Sequence, residues 1–335
     1  VKKKEKISCA LVGCGVSGWR IFQNFKKVSR SLGFKMNAII EPDSSRRAYI
    51  KSKTPADIKF YSSLKEFYAE SNKTEVLLFA VPKQIQFQLI CESLEKGYHT
   101  LVEAPLVQNN KEAEKIRELA QKNKRHVQVL MPDRWHFAQL WDDWKPAKGA
   151  WVIQTDRSAP FQARAADQGV LLQKLIHDID FYFLLDEVYK FGEIKNLKAY
   201  GKKMRSRFLD FTQVSWETEQ GIVMHMRASR LSQRSRKSWN FIGPNWHASI
   251  DLIRNTRRSY HRVGSSLNAF EAQSSEPKIQ PAMALELLAF KAAMQSKKKY
   301  KNYRLDDLNT LSLKSKSILK SYALLDRIRK QMKVI

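Results

Sequence analysis

Cysteine is scarce in this chain. Three residues in 335, Cys9, Cys14 and Cys91, cannot build a disulfide framework or a four-thiolate zinc site, and they point to a reducing, cytoplasmic compartment. Long apolar runs are missing: none approaches the ~18–20 residues that cross a bilayer, so a transmembrane helix is not expected. Paired Cys-x-x-Cys and His-Glu-x-x-His are absent, and His136, His225, His247 and His261 have no metal-ligand spacing with the cysteines. No metal is expected. The opening Val-Lys-Lys-Lys-Glu-Lys lacks the apolar core of a secretory signal. A start at Val1 rather than at Met leaves a removed leader open. Acid is short as well. Sixty Lys and Arg face 33 Asp and Glu, a formal charge of +27. The excess is heaviest from residue 201 onward. Such a field attracts phosphorylated metabolites, acidic membrane surfaces or nucleic acid; a basic host background is the plainer alternative.

The length fits about two domains at roughly 100–200 residues each, and 43% hydrophobic residues supply a core. Residues 1–132 alternate between the two periods. Ile7–Val12, Met36–Ile40, Glu75–Ala80, His99–Glu103 and His126–Leu130 are short apolar runs, the pattern of buried strands. Between them Ser17–Leu32, Ser63–Glu70, Ile85–Glu95 and Asn110–Lys122 carry helical spacing. Strand–helix alternation of this kind predicts a parallel sheet covered on both faces. Beyond Pro132 the pattern changes. Val170–Leu185 reads as helix, and Ile194–Tyr200, Thr212–Thr218, Ile222–Ser229, Ser238–Ile242 and His247–Arg254 read as antiparallel strands. Helices Pro281–Gln295 and Ser315–Met332 follow. The expected class is α/β: a Rossmann domain over 1–132, then an α+β domain over 133–335 with an open, mainly antiparallel sheet and a C-terminal helix.

Gly13-Cys14-Gly15-Val16-Ser17-Gly18 fits G-x-G-x-x-G between a strand and a helix, the context in which that motif binds a dinucleotide. The first glycine allows the turn, the second lets a pyrophosphate approach the backbone, and the third lets helix and strand pack closely. The helix N-terminus adds favourable charge. Glu41 ends the second strand, where a carboxylate accepts from the ribose hydroxyls and favours NAD. Ser44, Arg46 and Arg47 follow at once and fit either a 2′-phosphate of NADP or, for the two arginines, a solvated helix face. Cofactor choice therefore stays between NAD and NADP.

Other segments resemble the Gfo/Idh/MocA oxidoreductases, relatives of glucose–fructose oxidoreductase and inositol dehydrogenase. Glu75-Val-Leu-Leu-Phe-Ala-Val81-Pro82 is similar to the family strand that ends in Thr-Pro. Gly97-Tyr-His-Thr-Leu-Val-Glu103-Ala104-Pro105 is similar to its Gly-Lys-His-Val-…-Glu-Lys-Pro stretch. Gly169-Val-Leu-Leu and His177-Asp-Ile-Asp180 resemble Gly-Gly-x-Leu-x-Asp-x-Gly-x-His-x-x-Asp, and Ile242-Gly-Pro-Asn-Trp246 with Asp251 resembles an Ile-Gly-Thr-x-Gly…Asp turn. The resemblance implies that Val81, Pro82, Glu103, Ala104 and Pro105 lie on the cofactor side, and that Ala104, Gln173 and His177 face substrate.

This chain departs from the family pattern at chemical positions. The family Lys is Ala104, the family Asp is Gln173, the glycine two before the His is Leu175, and the His after the Pro dipeptide is Gln86. Of the Lys/Asp/His set only His177 remains. Alcohol oxidation needs a base for the hydroxyl proton while hydride leaves, a role worth typically ~10²–10⁴-fold. His177 is the candidate, and Ala104 supplies neither charge nor hydrogen bond. The leading expectation is an NAD(P)-dependent oxidoreductase of an anionic small molecule, a sugar or nucleotide sugar. Two alternatives stand beside it: a catalytically degenerate dinucleotide binder with a sensing or interaction role, and a tetrapyrrole reductase resembling biliverdin reductases, whose Glu-Lys-Pro also lacks the Lys. A homo-oligomer, dimer or higher, is what the family implies.

Three surface features have competing readings. Trp135, Trp141 and Trp144 fit packing or a cleft wall. The basic runs Arg227–Lys237 and Arg254–Arg258 fit phosphate contacts or solvated faces, with nucleic acid the lesser reading. The basic amphipathic helix Ser315–Met332 fits packing on its own domain better than a membrane surface.

Overall fold

The computed structural model describes residues 6–70, 73–141, 151–163, 168–262, 270–275, 279–295 and 316–334. The chain divides into two compact units: Val1–Pro132 with Pro281–Ser315, and Asp133–Gln280 with Lys316–Ile335.

The first unit is a six-stranded parallel sheet. It contains β1 (Ile7–Val12), α1 (Val16–Leu32), β2 (Phe34–Ile40), α2 (Ser44–Lys51), β3 (Lys59–Tyr61), α3 (Leu64–Ala69), β4 (Val76–Phe79), α4 (Lys83–Glu95), β5 (His99–Glu103), α5 (Asn110–Lys122) and β6 (Val127–Leu130). The strand order is β3-β2-β1-β4-β5-β6, so the order reverses between β1 and β4. Every residue of β1 and of β4 is buried, as expected for strands covered on both faces. Helix α1 buries Ile21, Phe22 and Phe25 at helical spacing and stops at Gly33, which is left-handed at φ 79. Side-chain caps start three other helices: Asp43 for α2, Ser63 for α3 and Asn109 for α5.

The second unit opens with α6 (Pro132–Trp141) and β7 (Val152–Ser158). A π-helical turn over Leu171–Leu175 runs into α7 (Ile176–Tyr189). Strands β8 (Ile194–Lys202), β9 (Phe211–Thr218), β10 (Val223–Ser229), β11 (Arg236–Gly243), β12 (Trp246–Asp251), β13 (Thr256–Arg262) and β14 (Phe270–Ser275) follow. Helix α8 (Ala282–Gln295) comes next, then α9 (Lys316–Gln331) and β15 (Met332–Val334). The nine strands order as β14-β13-β12-β11-β7-β10-β9-β8-β15. The pairs β7/β10 and β8/β15 are parallel and the others antiparallel. Burial alternates along β9, where Thr212, Val214, Trp216 and Thr218 are buried between exposed or half-buried neighbours. One face of the sheet is therefore core, and the other is polar.

A linear boundary at Pro132 places α8 in the wrong unit. Met283, Leu287 and Phe290 of α8 join the core of Ile21, Phe25 and Phe34 in the first unit. Lys291 Nζ donates to Leu32 O at 2.7 Å, and Gln128 Nε2 donates to Glu286 O at 2.9 Å. Helix α9 stays with the second unit and packs on α7. Its Ile318, Tyr322, Leu325 and Ile328 are buried, so the apolar face proposed for a membrane is spent on the fold. Trp135 and Trp141 are buried packing residues, and Trp144 lies outside the described residues. No helix of the described residues is long and apolar enough to cross a membrane.

Candidate functional site

In the first unit the glycine loop sits at the reversal of strand order, the crevice where open α/β sheets bind ligands. Its three glycines are required for three different reasons. Gly13 has φ +83, and a Cβ there would stand 2.6 Å from Ala80 O and 2.8 Å from Val81 Cγ1. A Cβ on Gly18 would overlap the Gly13 carbonyl, so this glycine lets α1 close on β1. Around Gly15 a Cβ would meet nothing within 4 Å; the space over this backbone is open. Helix α1 starts at Gly15 with no side-chain cap and no acid in its first turn. Its first amide donors are thus left for an external anion. Val16 is exposed and Ser17 half-buried on this turn.

Glu41 directly follows β2, and its carboxylate accepts from Cys14 N at 2.7 Å and from Asp43 N at 3.2 Å. A carboxylate has about four acceptor sites, so capacity remains for ribose hydroxyls. Arg46 rides on the same loop. Its Nε donates to Cys14 O at 2.9 Å, and its guanidinium lies 5.3 Å over the Tyr49 ring. Arg47 turns elsewhere and donates to Glu41 O and Pro42 O at 2.7 and 2.9 Å.

Ala104 follows β5 and is half-buried between Glu103 and the buried Pro105. A brace that sequence reading missed holds this tripeptide. Lys83 Nζ donates to Glu103 O at 2.8 Å and to Gln86 Oε1 at 2.8 Å. Gln86, fully buried, donates through Nε2 to Pro105 O and Leu106 O at 2.9 and 2.7 Å. Gln86 thus ties down backbone. Glu103 pairs with Arg20 of α1 at 3.4 Å.

The second unit concentrates charge around His177. Arg157 of β7 donates to Asp178 in a two-point bond, Nε at 2.9 Å and Nη2 at 2.7 Å, and through Nη1 to Asp133. Lys237 of β11 places Nζ 2.9 Å from both oxygens of Asp133. Trp239 Nε1 donates to Asp178 at 3.2 Å. Burial opposes these charges, yet Arg157 and Lys237 hold Asp133 far below the usual carboxylate range. Beneath the cluster, Asp180 forms a second buried two-point pair with Arg134, and Ser317 joins it.

Burial, followed by the positive charges of Arg157, Lys237 and Lys174, pushes the His177 imidazole down to about 3, against the pull of Asp133. It is neutral near pH 7. Its Nδ1 is buried with no hydrogen-bond partner among the described residues. Gln173 and Lys174 lie on the π turn that leads into His177. The basic runs are only partly engaged by the fold, and Arg227, Arg234, Arg236, Arg254 and Arg258 are exposed. Arg230 is buried against Asp210 at 2.6 Å, Arg227 pairs with Asp156, and Arg257 donates to Leu140 O at 3.1 Å.

Residues 7–131 match a family model described as "Oxidoreductase family, NAD-binding Rossmann fold", the Gfo/Idh/MocA model. Over these residues the chain resembles the Gfo/Idh/MocA oxidoreductases. Its cofactor class is accordingly NAD or NADP. The chain is similar to UDP-N-acetylglucosamine 3-dehydrogenase of Acidithiobacillus ferrooxidans, with 22% identity over 252 residues, covering 75% of this chain and 76% of that one. A solved structure of that enzyme superposes at TM-score 0.79 with 18% identity, covering 97% of each chain. The WlbA dehydrogenase of Chromobacterium violaceum, solved with NADH and UDP-GlcNAcA, superposes at 0.72 with 17% identity, covering 99% of this chain and 94% of that one. A 3-ketoreductase of Actinomadura kijaniata, solved with NADP and TDP-benzene, superposes at 0.77 with 14% identity, covering 99% of each. At these identities the superpositions show a shared fold across both units.

Proposed function

We propose that this protein is an NAD(P)-dependent oxidoreductase that interconverts a hydroxyl and a ketone on a nucleotide-linked sugar. The observation that carries the reading is the glycine loop. One glycine is left-handed, one is closed by the helix, and one lies open beneath an uncapped helix N-terminus. That arrangement accepts a pyrophosphate through backbone amides. In this reading Gly13, Gly15, Val16, Ser17 and Gly18 cradle the diphosphate, and Glu41 and Arg46 meet the adenosine ribose. Val81, Pro82, Glu103, Ala104 and Pro105 border the nicotinamide. When bound, the dinucleotide supplies a hydride acceptor or donor.

The nucleotide sugar comes from two supports. The similar proteins include a UDP-N-acetylglucosamine 3-dehydrogenase and a structure solved with a UDP-sugar acid. The chain's charge of +27 suits a diphosphate-bearing substrate. Neutral His177, with Nδ1 unpaired, offers a hydrogen bond to the reacting oxygen. Gln173 and Ala104 are the other substrate-facing positions. A cytoplasmic homo-oligomer completes the reading, on the family pattern.

The second reading, a dinucleotide binder without turnover, is favoured by Ala104 and Gln173 standing where the family has Lys and Asp. One experiment separates the two. The purified protein is titrated calorimetrically with NAD and NADP, then incubated with UDP-N-acetylglucosamine and followed for reduced nicotinamide. Binding with turnover supports the oxidoreductase. Binding without turnover across a panel of nucleotide sugars supports the degenerate binder, and no binding of either dinucleotide removes both. In His177→Ala, unchanged turnover excludes His177 from the reaction.

A further inference from the structure

The charges around His177 do not cancel. Asp178 is committed to Arg157 through two bonds and to Trp239 through a third. Asp133 is committed to Arg157 and, through both oxygens, to Lys237. Asp210 is committed to Arg230 and to the backbone amides of Met204, Arg205 and Ser206. Among the described residues, Asp178, Asp133 and Asp210 are thus each claimed by another cation or by backbone. Lys174 is left over, with no ion pair to any described residue, and the positive charges of Arg157, Lys237 and Arg230 act on it. It is close enough to His177 for its charge to act on the imidazole, on the turn that carries His177. Burial lowers His136 of α6, with the charge of Asp133 opposing and that of Lys237 adding to it.

We infer that Lys174 is the proton-transferring residue of this site. The inference rests on the oxidoreductase reading above. Three observations converge on it. The family's Lys and Asp are lost together, at Ala104 and Gln173, and a lysine stands immediately after the lost Asp. That lysine sits in a π-helical turn, a local insertion found frequently at functional sites. Beside it the His177 Nδ1 is buried and unpaired, a group that calls for a ligand.

The chemistry then balances. In the oxidation direction the carbinol carbon gives its hydrogen, with two electrons, to the dinucleotide as hydride. The hydroxyl proton passes to the neutral amine of Lys174, a carbonyl forms, and the resulting ammonium later returns its proton to water. Reduction runs the same steps backwards. The protonation state suits both directions. Burial, then Arg157, Lys237 and Arg230, bring the Lys174 ammonium down to about 8, with Asp133 opposing. An amine poised near the working pH both takes and gives a proton. His177, held down to about 3, is a hydrogen-bonding partner rather than the base.

Two measurements test this. The first needs no turnover: competitive labelling with acetic anhydride across pH, read peptide by peptide by mass spectrometry. Lys174 is expected to reach half its maximal reactivity near pH 8, whereas an unperturbed lysine does so near ~10.4. Labelling of Lys174 at the ordinary value overturns the inference. The second measurement follows hydride transfer to NAD or NADP from UDP-N-acetylglucosamine in Lys174→Met and Lys174→Arg. Both variants are expected to bind the dinucleotide as wild type does. Both are expected to lose ~10²–10⁴-fold in turnover, because arginine keeps the charge but not the titration. A Lys174→Arg variant that turns over like wild type overturns the proton-transfer role alone, and assigns Lys174 to holding a substrate anion. A wild-type protein that binds the dinucleotide but oxidises no nucleotide sugar overturns the oxidoreductase reading, and this role with it.

Discussion

The two units hold polar groups in opposite ways. The glycine loop of the first unit uses backbone: open amides at the start of α1, a carbonyl and an amide of Cys14 held by Arg46 and Glu41, and little buried charge. The His177 region of the second unit uses side chains: Asp133, Arg157, Asp178 and Lys237 locked in one ionic network, with Asp180 and Arg134 paired below. Backbone recognition depends on space, so it is broken by adding atoms. A buried ionic network depends on cancellation, so it is broken by removing one partner.

The largest effect is expected from the first kind of break. In Gly18→Val the new side chain meets the Gly13 carbonyl, and calorimetric titration should show no dinucleotide binding, together with a lower melting temperature. Retained binding would mean the loop does not hold the diphosphate. Next comes Arg157→Met, which strands Asp178 and Asp133. Urea unfolding should show a loss of about 3–5 kcal/mol. A loss below ~1 kcal/mol, the worth of an exposed pair, would remove the network from the stability of the second unit.

Acid separates the units less sharply. Burial lowers both His99 of the first unit, to about 4, and His177 of the second, to about 3, from 6.5. Each binds its proton more readily when unfolded. Stability is therefore complete above pH ~6.5 and falls as pH drops from there toward the folded values. His99→Gln and His177→Gln should each flatten the acid limb of a stability–pH curve, His177→Gln over the wider range. Parallel curves for wild type and variants would count against the burial of these rings. Smaller again is cofactor choice. Arg46→Ala should weaken NADP relative to NAD by several-fold, with a smaller loss for NAD because Arg46 also supports the loop through Cys14 O. The smallest expected change is Lys83→Met. Losing its bonds to Glu103 O and Gln86 should cost about 0.5–1.5 kcal/mol and raise the Michaelis constant for the dinucleotide.

The first unit was legible because its signals are local. Its buried strands are apolar runs, and Asn110–Lys122 coincides with α5 because Asn109 caps it and Ala113, Ile116, Leu119 and Ala120 line one face. The second unit hid more. Strand β7 was missed because Asp156, Arg157 and Ser158 break its apolar pattern, although it pairs with β10 on one side and β11 on the other. Strand β13, Thr-Arg-Arg-Ser-Tyr-His-Arg, carries two buried or half-buried rows that only pairing with β12 and β14 reveals. The π turn leaves no mark in the periodicity, so Val170–Leu185 read as one helix.

By itself the sequence determined the Rossmann half, the glycine loop with its flanking Glu41 and Arg46, and the mainly antiparallel second sheet. Each is a matter of residue type at short spacing, where steric freedom and apolar periodicity act within a few residues. Tertiary structure alone decided that α8 belongs to the first unit, that Lys83 and Gln86 brace Glu103 to Leu106, and which carboxylates are already claimed around Lys174 and His177. Those outcomes turn on distances between residues far apart in the chain. A charge is spare or cancelled only once its neighbours are in place.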